Sequence, residues 1–205
     1  GYASALMKQA MLIMKNDGMS GAILFTGIHP FYEKLGWRTL RQREFTISVE
    51  SIQTSLSSVE VRIMQSDDYP ILHTMYSALQ DRVNGTMKRN LDYWHMRPTW
   101  LLHLPVVVLK QGQIIGYFFA SQYKKDQPMA TITEMGVVDD SESTLRAVLG
   151  AMAHKAQEVN CHSLNGFFRQ HPIFRDYLDR YNLIHEENEF LYLMWCDLNE
   201  NRFGE

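Results

Sequence analysis

The spacing of apolar positions divides the chain into short alternating blocks. Leu6, Met7, Ala10, Met11, Ile13 and Met14 recur at helical intervals between Tyr2 and Asp17, a stripe wide enough to cover one face of a sheet, and Gly18 follows as a stop. Gly21 to Thr26 is a compact apolar strand, and Pro30 opens a short helix that ends at Gly36. After a basic stretch from Arg38 to Arg43, read as a solvated loop or a phosphate contact, Glu44 to Val49 alternates like a half-buried strand. Glu50 to Ser58 is rich in Ser and Gln, lacks a period and reads as a linker.

The rest of the chain alternates in the same way. Val59 to Met64 predicts a strand, and Ser66 caps a helix whose first turn carries Asp67 and Asp68 and whose apolar positions are Ile71, Leu72, Met75, Tyr76 and Leu79. Lys88, Arg89, Tyr93, Trp94, Arg97 and Trp100 then interleave charge and aromatic rings. Two readings fit them: a binding cleft, or rings packed inward beneath an exposed basic face. Val106 to Leu109 and Ile114 to Ala120 flank Lys110-Gln111-Gly112-Gln113 as a hairpin, Ala130 to Val138 predicts a strand, and Ser141 to Val159 a helix.

An internal repeat orders these blocks. His29-Pro30 recurs 142 residues later as His171-Pro172, and the same offset pairs Ala5 with Ala147, Leu6 with Val148, Met7 with Leu149, Gly18 with Asn160 and Phe25 with Phe167. Gly and Asn are the residues that best tolerate the left-handed conformation ending a helix, so the stop signal repeats along with the core. A longer helix, Ile173 to Tyr181, follows the second His-Pro; Asn182-Leu183 then matches Gly36-Trp37, and Glu189-Phe190 matches Glu44-Phe45 and opens a last strand to Cys196. The copies differ where chemistry would sit: Gly1, Ala3 and Tyr32 become Ser143, Leu145 and Phe174, and Asp139, Asp140 and Glu142 add negative charge beside the second helix start. The repeat also implies that the first copy begins about eighty residues before Gly1.

Composition narrows the function classes. Twenty Lys and Arg against 23 Asp and Glu give a net charge of −3 with no basic run, so neither nucleic acid nor an anionic membrane surface is an expected partner. Two cysteines, Cys161 and Cys196, fit a reducing, cytoplasmic setting better than a disulfide scaffold, and neither has metal-ligand spacing, so no metal is expected. No apolar run approaches the length of a membrane span.

Gly1-Tyr2-Ala3-Ser4 opens the first helix with small residues that let a ligand approach its free N–H groups, an arrangement suited to an anion such as pyrophosphate. Together with the later block HPFYEKLGW, residues 29 to 37, this resembles the GNAT superfamily of acyl-CoA-dependent N-acetyltransferases. The family's pyrophosphate loop reads Q/R-x-x-G-x-G/A, of which Gly1 and Ala3 match the last two fixed positions, and its next strand and helix often end in FYEKLGW. The resemblance implies a mixed-sheet α/β fold in tandem. Residues 1–50 are the closing part of a catalytic domain, 51–58 a linker and 59–205 a complete, degenerate second domain, structural or acceptor-shaping. It further implies acetyl-CoA as co-substrate, bound by Gly1, Tyr2, Ala3 and Ser4, direct acetyl transfer to a small-molecule or peptide amine, and Tyr32 as the acid that protonates the CoA thiolate. From the residues alone, the alternative for Tyr32 is a packed aromatic with a solvated hydroxyl, and the whole block favours the acid. Glu134 lies where some members carry a general base, but with no CoA site beside it a solvated or hydrogen-bonded carboxylate is expected. A homo-oligomer is compatible with all of this, and the alternative function is a non-catalytic module that binds a ligand or partner.

Overall fold

The computed structural model describes residues 1–52, 59–83, 86–96, 103–121, 129–166 and 172–199. Residues 53–58 of the expected linker, Arg97, Trp100, and the repeat positions Phe167 and His171 lie outside them. The described residues cluster into two compact units: one formed by Gly1–Arg43 with Asn188–Glu205, the other by Glu44–Glu187.

In the first unit, α1 (Tyr2–Asn16) precedes β1 (Gly21–Phe25), α2 (His29–Glu33) and the two-residue strand β2 (Arg38–Thr39). The apolar stripe of α1 is split in use: Met11 is buried with Met7 and Met14 packed beside it, whereas Leu6 and Ile13 are exposed. β1 pairs antiparallel with a strand from the far end of the chain, β10 (Leu193–Asp197), from Gly21↔Asp197 to Phe25↔Leu193. β2 lies on the other side of β10, giving a three-stranded sheet in the order β1, β10, β2. Gly21 is needed for this pairing, because a Cβ there would sit 1.9 Å from the Trp195 ring. The core is Met11, Ala22 and Trp37 against Met194, Cys196 and Leu198.

The second unit is built on a sheet ordered β4, β5, β6, β7, β8, β3, β9. Its strands are β3 (Gln42–Ser48), β4 (Val59–Ile63), β5 (His103–Lys110), β6 (Gln113–Ser121), β7 (Met129–Val137), β8 (Ser163–Gly166) and β9 (Ile184–Phe190). The predicted hairpin is β5–β6, closed by Gln111 (φ 53) and Gly112 (φ 78), whose two positive φ values suit a tight turn that follows the strand twist. Strict alternation sorts the sheet's two faces. Val107, Leu109, Tyr117 and Phe119 meet α3 (Tyr69–Gln80) and α4 (Leu91–Met96); Val106, Val108, Phe118 and Ala120 meet α5 (Glu142–Glu158) and α6 (Pro172–Arg180). β7 and β8 run parallel, from Met129↔Ser163 to Ile132↔Gly166.

The two stretches compared in the repeat both run helix, strand, helix, then two strands, but the final strands change places. β3 follows α2 and β2 in sequence yet pairs with β8, Phe45↔Gly166 to Ser48↔Ser163, while β10 pairs with β1. The expected boundaries 1–50, 51–58 and 59–205 therefore describe chain order; in space β3 belongs to the sheet of the second unit and β10 to that of the first. Glu189-Phe190 closes β9 and does not open the last strand, and the partners on β1 and β8 equate Phe45 with Met194 and not with Phe190. Matching at Glu-Phe misplaces the register because it follows chain order, whereas pairing is set by the sheet that receives the strand.

Candidate functional site

α1 begins with small residues. Gly1 is its N-cap with no side-chain capping bond, the first backbone bond within the helix runs from Ala5 N to Gly1 O at 3.3 Å, and a Cβ at Gly1 would meet nothing within 4 Å. The N–H groups of Tyr2, Ala3 and Ser4 thus lack helical acceptors, and Tyr2, 93% exposed, covers none of them by burial. An anion gains roughly 0.3–2 kcal/mol per charge at such an end. A four-residue connection joins α1 to β1, and α2 follows β1 after three residues.

Tyr32 sits in α2, half-buried, its ring edge-on to Phe31 at 4.9 Å and to Trp37 at 6.0 Å and packed against the core of the first unit. Its carbonyl accepts from Leu35 N and Trp37 N, which fixes the turn that ends the helix. The aromatic reading of Tyr32 and the acid reading are compatible, since the ring packs while its position stays half-exposed. No hydrogen bond joins Tyr32 directly to Gly1–Ser4 among the described residues.

The corresponding helix in the second unit begins closed. Ser141, its N-cap, accepts from Thr144 N through its hydroxyl, and Asp139 accepts from Ser141 N at 2.8 Å. Hydrogen bonding by the Ser141 side chain and then its backbone holds the Asp139 carboxyl below the usual carboxylate range. Glu142 accepts from Arg146 at 2.9 Å and from the Tyr181 hydroxyl at 2.5 Å, and Asp140 pairs with Arg82 at 2.5 Å. The chain's own oxygens occupy the place an incoming anion would take. Phe174, opposite Tyr32 in the repeat, is fully buried.

Glu134 is neither solvated nor free. Arg89 grips it with both terminal nitrogens, Nη1 to Oε1 at 2.9 Å and Nη2 to Oε2 at 2.8 Å, and Tyr117 donates to Oε1 at 3.0 Å. The Arg89 side chain is 9% exposed and that of Glu134 11%. One of the two readings for this segment was therefore wrong in one respect: Tyr76 and Trp94 are indeed buried, but Arg89 lies among the rings and not on a basic face above them, while Lys88 is exposed. Burial by itself would lower the Arg89 pKa; the Glu134 carboxylate outweighs it and the net direction is upward. Sequence spacing misses this pair because 45 residues separate its members.

Among the described residues no group of three or more His, Cys, Asp or Glu is placed to hold a metal ion, and no helix is long and apolar enough to cross a membrane. Cys161 and Cys196 are both buried.

No protein-family model matches the chain, and neither does any curated protein. Solved structures do. A GCN5-related N-acetyltransferase from Anabaena variabilis superposes with a TM-score of 0.66 at 14% identity, covering 96% of this chain and 50% of that one. Another from Kribbella flavida gives 0.64 at 12%, covering 96% and 48%. The Saccharomyces cerevisiae N-myristoyltransferase, solved with bound myristoyl-CoA, gives 0.60 at 10%, covering 94% and 54%. The chain has the fold of the GCN5-related N-acetyltransferases and spans about half the length of these structures.

Proposed function

We propose that this chain is part of a tandem GNAT-like protein that transfers an acetyl group directly from acetyl-CoA to an amine, with the first domain catalytic and the second degenerate. The observation that supports the reading is the likeness in fold to solved GCN5-related N-acetyltransferases, together with the small residues Gly1 and Ala3 at the start of α1, whereas the helix start at Ser141 is capped by Ser141 itself and flanked by Asp139, which accepts from Ser141 N. Backbone N–H groups of Tyr2, Ala3 and Ser4 hold the pyrophosphate of CoA, and the absence of a side chain at Gly1 lets it approach. The acceptor nitrogen attacks the thioester carbonyl carbon, the C–S bond breaks, and the Tyr32 hydroxyl gives its proton to the departing sulfur. The proton lost by the amine goes to a base elsewhere in the catalytic domain or to water.

The partial first domain is part of the same proposal. In the second unit the edge of β8 is covered by β7 in parallel, whereas β1 is an edge strand, with Phe25 71% exposed. An upstream segment of the same polypeptide supplies the strand that β7 represents, and with it most of the acceptor-binding surface, for a small amine or a peptide, in the cytoplasm.

The test is release of free thiol from acetyl-CoA by the intact protein across a panel of amines, beside an equilibrium measurement of acetyl-CoA binding. Saturable binding with amine-dependent thiol release is expected. Binding without release with any amine would move the protein to a ligand-binding module, and no binding would overturn both readings.

A further inference from the structure

The surroundings of Arg89 are built like a receptor for a cation. Glu134 on β7 offers one carboxylate oxygen to each terminal nitrogen of the guanidinium, and Tyr117 on β6 fixes one of them by donating to it. The guanidinium carbon lies 3.8 Å from the centre of the Tyr76 ring on α3, and 5.0 Å and 5.7 Å from the rings of Tyr93 and Trp94 on α4. Ring faces and a carboxylate are what a guanidinium or a primary ammonium selects.

The walls and the occupant come from different kinds of segment. Tyr76, Tyr117 and Glu134 stand on a helix and two strands; Arg89 comes from residues 86–90, which form neither helix nor strand. A bulge aims Glu134 into this space. Phe119 faces Glu134 and Ala120 faces Ile132, so Thr133 is an extra residue on β7. Before it the even positions, Ala130 and Ile132, face the α5 core; after it the odd positions Met135 and Val137 do. Without the extra residue, Glu134 would point into that apolar core. The occupant fits less completely than the walls do: Nε of Arg89 is buried with no hydrogen-bond partner among the described residues, the one donor whose direction its own stem dictates.

We propose that the second unit carries a recognition site for a guanidinium or primary ammonium head group, formed by Glu134, Tyr117, Tyr76, Tyr93 and Trp94, and that the chain keeps it filled with its own Arg89. This site is independent of whether the first domain transfers acetyl groups.

The experiment is thermal unfolding of the intact protein carrying Arg89→Ala, titrated with methylguanidinium chloride or methylammonium chloride against sodium chloride at equal ionic strength. A saturable rise in Tm with either cation and none with sodium is expected, with half-saturation at least tenfold weaker in Arg89→Ala/Glu134→Gln and no saturable rise in the wild type. A fall in Tm on substitution that neither cation recovers means a purely structural ion pair and overturns the proposal. So does equal recovery in the double variant. If Arg89→Ala does not fold alone, its refolding yield from urea with and without methylguanidinium decides: a yield raised by the cation supports the site, an unchanged yield refutes it.

Discussion

Asp68 shows how much one carboxylate can organise. It accepts from Arg62 at 2.7 Å and 2.8 Å and from Gln65 N at 2.7 Å, and its side chain is only 7% exposed. Hydrogen bonding from Arg62, more than any other cause, lowers its pKa. A carboxyl whose pKa is lower folded than unfolded stabilises fully above the unfolded value, about 3.9, and loses that contribution as pH falls through the folded one. Asp68→Asn is therefore expected to cost about 1–3 kcal/mol near neutral pH and little well below pH 3.9; urea unfolding at neutral and acid pH measures the convergence. A second residue-scale expectation concerns Tyr32. Tyr32→Phe keeps the ring packed on Phe31 and Trp37 but removes the proton donor. In the intact protein kcat falls roughly 10²–10⁴-fold with acetyl-CoA affinity nearly unchanged, since the proton is donated to the leaving thiolate and not to the bound ground state. Unchanged turnover would remove Tyr32 from the mechanism.

At the scale of elements, four helices end in one hydrogen-bond pattern. Met19 N reaches Met14 O and Gly18 N reaches Lys15 O after α1, and the same two bonds recur at Gly36, Asn160 and Asn182 after α2, α5 and α6. The residues holding them all have positive φ: 81 at Gly18, 87 at Gly36, 58 at Asn160 and 48 at Asn182. Gly18→Ala should then destabilise by about 1–2 kcal/mol and Asn160→Gly should be neutral or slightly stabilising, opposite signs that denaturant midpoints resolve. These stops were legible in the sequence because a left-handed residue leaves a chemical signature at its own position. The long helices α1, α3 and α5 and the hairpin were legible for the same reason, each resting on local periodicity or turn residues, whereas β2, β8 and β9 are short or lack alternation and left no such mark. The Arg89–Glu134 pair was not, since it depends on one extra residue at Thr133 that reverses the facing of the strand, and alternation read from sequence passes over a bulge. Nor was the fate of β3, because nothing in Glu44 to Val49 says which sheet it will join.

At the scale of the whole molecule, the first unit is completed by the far end of the sequence, while the second is one continuous stretch. Half of the buried core of the first unit, Met194, Cys196 and Leu198, lies beyond residue 187. Removing Asn188 onward takes away those side chains and the central strand of a three-stranded sheet. At about 2–5 kcal/mol for each large core side chain lost, the deletion exceeds what a small unit has to spare. The expected outcome is that Gly1–Arg43 becomes the first segment cut in limited proteolysis while α5 and the hairpin β5–β6 stay protected; equal protection of both units would show that the last strand is dispensable.

The exchange of β3 and β10 also sets an order of events in the cell. β1 leaves the ribosome before its partner, which is made about 170 positions later. At roughly 5–20 residues per second, β1 waits on the order of 10–30 s, and longer while β10 clears the exit tunnel. During that interval Ile23 and Phe25 stand on an unpaired strand, where another nascent copy or a chaperone can reach them before β10 does.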